Sequence, residues 1–117
     1  MNNFNGKTAV ITGAASGIGF ALAKHAAAQG MSLVLADIDE AALQAAAEQL
    51  SLPADRVLAL RTDVRHAAEI KALADAAYGK FNRVHLLFNN AGVALARTTW
   101  EHTVADWEWI LQVNLWS

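Results

Sequence analysis

Thr12-Gly13-Ala14-Ala15-Ser16-Gly17-Ile18-Gly19 decides the fold, because it joins a β-branched run to an alanine-rich helical stretch. Upstream, Thr8-Ala9-Val10-Ile11-Thr12 shows no polar alternation, the pattern of a strand buried on both faces. Downstream, Ser16 to Gln29 reads as a helix with Ile18, Ala21, Leu22 and Ala26 on one side, stopped at Gly30. An anion placed at this junction meets unpaired amide N–H groups and the positive end of the helix dipole. Gly13 permits the sharp turn, Gly17 removes a Cβ that would keep a pyrophosphate at a distance, and Gly19 lets the helix pack closely on the strand. Ser16 adds a hydroxyl within reach of a phosphate. A tight turn alone selects the same glycines, so the triplet takes its meaning from what surrounds it.

Outward from the loop, the strand-turn-helix pattern repeats. Ser32 to Asp37 is a second strand, Asp39 an N-cap for a helix over Glu40 to Leu50, and the Ser-Leu-Pro around Pro53 ends that helix. Val57 to Thr62 is the third strand and Ala67 to Tyr78 the third helix, closed by Gly79. Val84 to Asn89 is the fourth strand, followed by a loop from Asn90 to about His102. Thr103 and Asp106 form a capping pair that opens a last helix, still running at Ser117. Strands alternating with helices predict an α/β fold: a doubly wound parallel sheet of Rossmann type with right-handed crossovers and helices on both faces.

Asp37 sits at the end of the second strand, close to the roughly 20-residue offset of an acid that receives ribose hydroxyls in dinucleotide-binding folds. Neighbouring Asp39 is the better helix cap, which leaves Asp37 for the ribose. A carboxylate there repels a 2′-phosphate, and neither Ser16 nor Ile38 supplies a compensating positive charge. The expected cofactor is therefore NAD rather than NADP.

With Asp63-Val64 after the third strand, Asn89-Asn90-Ala91-Gly92 after the fourth and Asn114 in the last helix, the chain resembles the short-chain dehydrogenase/reductase family. That family pairs a Thr-Gly-x-x-x-Gly-x-Gly loop with these three further signatures. The resemblance implies that Gly13, Ser16, Gly17, Ile18, Gly19, Asp37 and Ile38 hold the cofactor. It also implies that Asp63 and Val64 flank the adenine, that Asn90, Ala91 and Gly92 line the groove near the adenine ribose, and that Asn89 ties the central strands together. Asn114 falls on an apolar helix face, where an unpaired amide would cost roughly 1 to 3 kcal/mol. The family reading makes it catalytic, holding a water in the proton relay.

The family's reaction also needs a Ser and a Tyr-x-x-x-Lys downstream of the Asn, and neither element is found in this sequence, whose last serine is Ser117 at the terminus. The one tyrosine, Tyr78, is followed four residues later by Asn82. The expectation is thus a single partial domain over residues 1–117, the first four βα units with strand order 3-2-1-4, truncated before the rest of the fold. It would carry the adenosine side of an NAD-dependent oxidoreductase acting on a small alcohol or carbonyl compound, and would be inactive alone. Two alternatives share the fold: a non-catalytic dinucleotide-sensing regulatory module, and a Rossmann-like methyltransferase, against which Thr12 stands where an acidic strand end is usual.

Composition agrees with this frame. The 117 residues are 55% hydrophobic and only 17% charged, against roughly 25% charged in an average domain, so apolar surface exceeds what a lone globule of this size buries. Nine Lys and Arg are scattered among eleven Asp and Glu, for a net charge of -2, which argues against nucleic acid and anionic membranes as partners. Without cysteine there is no disulfide, thiolate nucleophile or Cys-based metal site, and a cytoplasmic location is the default expectation. The four histidines lack metal-ligand spacing, so no metal is expected. In the last helix Val104, Trp107, Ile110, Leu111 and Leu115 share one face, while Trp109, Val113 and Trp116 form an opposite stripe suited to a homo-oligomer contact.

Overall fold

The computed structural model describes residues 4–89. Four strands, β1 (Thr8–Thr12), β2 (Ser32–Asp37), β3 (Val57–Arg61) and β4 (Leu86–Asn89), form a parallel sheet of order β3-β2-β1-β4. The helices α1 (Gly17–Ala28), α2 (Glu40–Leu50) and α3 (Ala67–Phe81) connect them, with a single 3-10 turn over Ala54–Arg56. The expected strand order is therefore found. Every residue of β1 is buried, as its unbroken apolar run requires of a central strand.

Side-chain alternation divides the core into two layers. Ala9, Ile11, Leu33 and Leu35 face one way and pack with Ala23 and Ala26 of α1 and Leu43 of α2. Val10, Val34, Ala36 and Leu87 face the other way, against Leu73 and Ala77 of α3. Helices thus cover both faces.

Five local details differ from the sequence reading. Ile18 and Ala21 point outward, Ile18 being 69% exposed, and α1 buries Gly19, Ala23 and Ala26 instead. The contact of Gly19 with the glycine loop sets this rotation, since positions 19, 23 and 26 recur at helical spacing. At the other end of α1, Gln29 is the C-cap and Gly30 follows it at φ +82°. The Gly30 N–H donates to Ala27 O at 3.0 Å and that of Met31 to Ala26 O at 3.2 Å, which is a Schellman closure. α3 runs past Gly79 to Phe81 because Asn82, at φ 66°, takes the left-handed closing position and donates its N–H to Tyr78 O. β3 stops one residue short of Thr62, and β4 begins at Leu86 rather than Val84. In the latter case the His85 ring intervenes: its Nδ1 accepts the Thr8 N–H at 3.0 Å, where a strand partner would offer a main-chain carbonyl.

α2 matches its expected bounds. Asp39 caps it, accepting the Ala42 N–H at 3.0 Å. No helix among the described residues is long and apolar enough to cross a membrane.

Candidate functional site

A groove of about 390 Å³ opens where the chain leaves the carboxyl ends of β1, β2 and β3. Gly13 and Ser16 of the loop, Asp37 and Ile38 after β2, and Thr62, Asp63, Val64 and Arg65 after β3 line it. In a doubly wound sheet this end, beside the reversal of strand order, is where ligands bind. Here the reversal lies at β1, between β2 and β4.

The glycine loop is built by backbone demands that differ at each position. Gly13 has φ +63°, a conformation that disfavours a side chain. A Cβ on Gly19 would overlap the Gly13 carbonyl oxygen and lie 2.7 Å from its carbonyl carbon, so helix and loop meet there without room for a methyl group. Gly17 is different: a Cβ there would meet nothing within 4 Å, and its φ is ordinary. Neither packing nor backbone conformation calls for glycine at 17. An open surface at the first turn of α1 is what close approach by a phosphate needs.

Three of the loop amides are already engaged, that of Ser16 donating to Gly13 O at 3.1 Å. The Ala14 N–H donates to Ala36 O at 3.0 Å, and the Ala15 N–H donates to Asp37 Oδ2 at 3.0 Å. The anion-binding potential therefore rests with the first turn of α1, whose leading N–H groups have no intrahelical acceptor. Ser16 is the N-cap but makes no side-chain cap bond; its hydroxyl donates to Gly13 O at 2.8 Å.

Asp37 is fixed from two sides. Oδ2 takes the Ala15 N–H, and Oδ1 accepts the Asp39 N–H at 3.1 Å. The acid is thus held against the glycine loop while still facing the groove. Ile38, 48% exposed, adds apolar surface beside it.

Asp63 is 5% exposed and has Arg65 as its main partner. The Arg65 N–H and Nε donate to Oδ1 at 3.0 and 2.9 Å, and Nη2 donates to Oδ2 at 2.8 Å. His66 Nε2 lies 3.3 Å from Oδ2. The Arg65 side-chain bonds foremost, then its backbone N–H, hold the Asp63 carboxyl well below the usual carboxylate range. Behind it, Glu69 Oε1 accepts the Asp63 N–H at 2.8 Å and Arg61 Nη1 at 3.3 Å. The Thr62 N–H, donated to Asp37 O at 2.9 Å, ties this turn to β2.

Of the residues expected to hold a cofactor, Gly13, Ser16, Asp37, Ile38, Asp63 and Val64 come together in one groove. Gly17 and Ile18 lie at the adjoining first turn of α1, and Gly19 is buried beneath the loop. Asn90, Ala91, Gly92 and Asn114, with the stripe of Trp109, Val113 and Trp116, lie outside the described residues. Sequence reasoning missed Thr62 and Arg65. A basic residue two positions after Asp63 was visible, but that its guanidinium turns back onto that carboxylate was not.

The family profile described as short chain dehydrogenase matches residues 7–117. A dehydrogenase/reductase of CLA biosynthesis from Lactiplantibacillus plantarum is 42% identical over 117 residues, all of this chain and 41% of that protein. The D-threitol dehydrogenase of Mycolicibacterium smegmatis is 38% identical over 111 residues, 95% of this chain and 43% of its own length. Among solved structures, a short chain dehydrogenase/reductase from Burkholderia phymatum in complex with NAD superposes with a TM-score of 0.74 at 50% identity, over 97% of this chain and 40% of that one. A 3-ketoacyl-(acyl-carrier-protein) reductase from Brucella melitensis complexed with NADH gives 0.71 at 38% identity, over 78% of this chain and 36% of that one. The chain therefore spans about two fifths of the length of these relatives. The profile match, the strand order and the glycine loop closing on Gly19 agree, and the chain belongs to the short-chain dehydrogenase family.

Proposed function

We propose that this chain binds the adenosine half of NAD in the groove above β1 to β3, as part of an oxidoreductase acting on a small alcohol or carbonyl compound. When bound, the nicotinamide group supplies the site that accepts or releases hydride. The observation that carries the reading is Asp37, whose carboxylate is held beside the loop by the Ala15 and Asp39 N–H groups. An acid immobilised there accepts the two ribose hydroxyls without reorganising, and repels a phosphate at the 2′ position. The first turn of α1 and the open surface at Gly17 suit the pyrophosphate, while Asp63 and Val64 adjoin the adenine. The relatives' names, dehydrogenase and reductase, favour turnover over a purely sensing role.

Asn90, Ala91 and Gly92 would extend the groove wall, and Asn114 would hold a water for the proton relay. Without the family's catalytic Ser and Tyr-x-x-x-Lys elements, the isolated 117-residue chain produces no NADH from alcohols. The last helix would contribute an interface between copies. Calorimetric titration of the chain with NAD and NADP tests the central claim. NAD should bind at least about tenfold more tightly, a charged-contact difference near 1.4 kcal/mol, and Asp37→Ala should erase the preference. Equal or tighter binding of NADP by the unaltered chain would sink the proposal.

A further inference from the structure

Asn5-Gly6 is the one Asn-Gly pair in the chain, and it lies just before β1, at the opposite end of the sheet from the groove. Such a pair is chemically labile, because glycine presents its main-chain nitrogen without a side chain to shield it. Once deprotonated, that nitrogen attacks the Asn Cγ, expels ammonia and closes a five-membered succinimide, which water then opens at either carbonyl. The net change is one water consumed and one ammonia released, with no oxidant or metal. It leaves an aspartyl or isoaspartyl residue at position 5.

The fold opposes each requirement of that reaction. The Lys7 N–H donates to Phe4 O at 3.0 Å, Gly6 has φ +77° and Asn5 has a negative φ, which together make a type II turn. The succinimide ring needs the opposite sense of rotation about the Asn5 Cα–C bond. The nucleophile is occupied as well, since the Gly6 N–H donates to Gly30 O at 3.0 Å and so keeps its proton. The Asn5 side chain lies against Gly30, where a Cβ would overlap its Oδ1 and come within 3.2 Å of its Cγ. Phe4 anchors the turn: it packs against the core layer beneath α1 and shares a cleft with Leu22, Met31 and Leu86.

We propose that Asn5 is a site of spontaneous deamidation whose reactivity is gated by the docking of this turn on Gly30. Reaction proceeds from the open state, in which Phe4 has left its cleft and the Gly6 amide meets solvent, so its rate follows the local opening equilibrium. An isoaspartyl product inserts the Cβ of residue 5 into the main chain. The Phe4–Lys7 closure and the Gly6–Gly30 bond then fall out of register, and the turn cannot redock. The modification is a one-way release of the segment ahead of β1.

The full chain is incubated at mildly alkaline pH, folded and in concentrated guanidinium chloride, and its acidic forms are followed by ion-exchange chromatography with peptide mass mapping around position 5. Deamidation at Asn5 should run at least about tenfold more slowly in the folded chain. Phe4→Ala removes the anchor while leaving the reacting pair untouched, and Gly30→Ala displaces the Asn5 side chain. Each should speed the folded-state reaction at least about threefold, with helical content by circular dichroism unchanged. Should Gly30→Ala unfold, Phe4→Ala carries the comparison. Equal rates in the folded and unfolded chain, or no modification at Asn5 in the denaturant, would overturn the proposal. Folded variants that react at the unaltered rate would overturn the assignment of the gate to docking on Gly30.

Discussion

Gly17 and Gly19 stand one helical step on either side of Ile18, and their surroundings set opposite requirements. A methyl group on Gly19 drives into the Gly13 carbonyl, a backbone contact that no side-chain rotation relieves. Gly19→Ala should therefore cost about 1 to 3 kcal/mol of stability, the range for forcing an extra carbon into a packed site. Gly17→Ala adds its methyl to open space in a helical conformation, so stability should hold or rise by up to about 1 kcal/mol. The same methyl faces the place proposed for the pyrophosphate, so NAD affinity should drop at least about tenfold, an effect of about 1.4 kcal/mol. Thermal melting and calorimetry on the two variants separate fold from ligand; a Gly17→Ala chain that binds NAD normally would remove Gly17 from the site. The three glycines are legible as a group in the sequence, and Asp37 is legible through its offset from them. Arg65 is not, because its role depends on a turn that brings guanidinium and carboxylate together, and a charge two residues from another has no fixed geometry in sequence.

Elements are most legible in the sequence where one strong local preference acts without competition. Asp39 capping α2 is such a case, and both the cap and the bounds Glu40–Leu50 follow from it. Sequence and structure part where a tertiary contact outweighs the local signal. The rotation of α1 is set by Gly19 against the loop, which turns Ile18 to solvent despite its place in an apolar series. In α3, Gly79 has the character of a stop, yet it lies inside the helix, where an added Cβ would meet nothing within 4 Å, and Asn82 makes the closure instead. Glycine within a helix loses more backbone freedom on folding than alanine and leaves peptide groups bare. Gly79→Ala should stabilise the chain by about 0.5 to 1 kcal/mol. A raised denaturant midpoint with unchanged slope in urea would bear this out; a lowered midpoint would mean that the backbone at 79 is not helical in solution.

At the scale of the whole molecule, strand order is readable because apolar runs without alternation require burial on both faces, and alternation with helices leaves few right-handed arrangements. How β4 is attached to β1 is hidden from the sequence, since it depends on a ring nitrogen. His85 forms a double tie: its N–H donates to Thr8 O at 2.9 Å, and its Nδ1 accepts the Thr8 N–H at 3.0 Å. The second bond requires Nδ1 to be unprotonated. Burial, then the positive charges of Lys7 and Arg83, push the His85 pKa below its ordinary value of 6.5. The unfolded chain therefore takes up this proton more readily than the folded one. The contribution of neutral His85 is full above 6.5 and is lost as pH falls through 6.5 toward the lowered folded value. Thermal melting between pH 7.5 and 5 should show a loss of stability that His85→Gln reduces, since an amide oxygen can accept the Thr8 N–H without titrating over that range. His85→Ala should cost about 1 kcal/mol at pH 7.5, the worth of one hydrogen bond, and should likewise flatten the acid limb. An unaltered pH dependence in both variants would place the acid sensitivity elsewhere and reduce His85 to a packing residue at the start of β4.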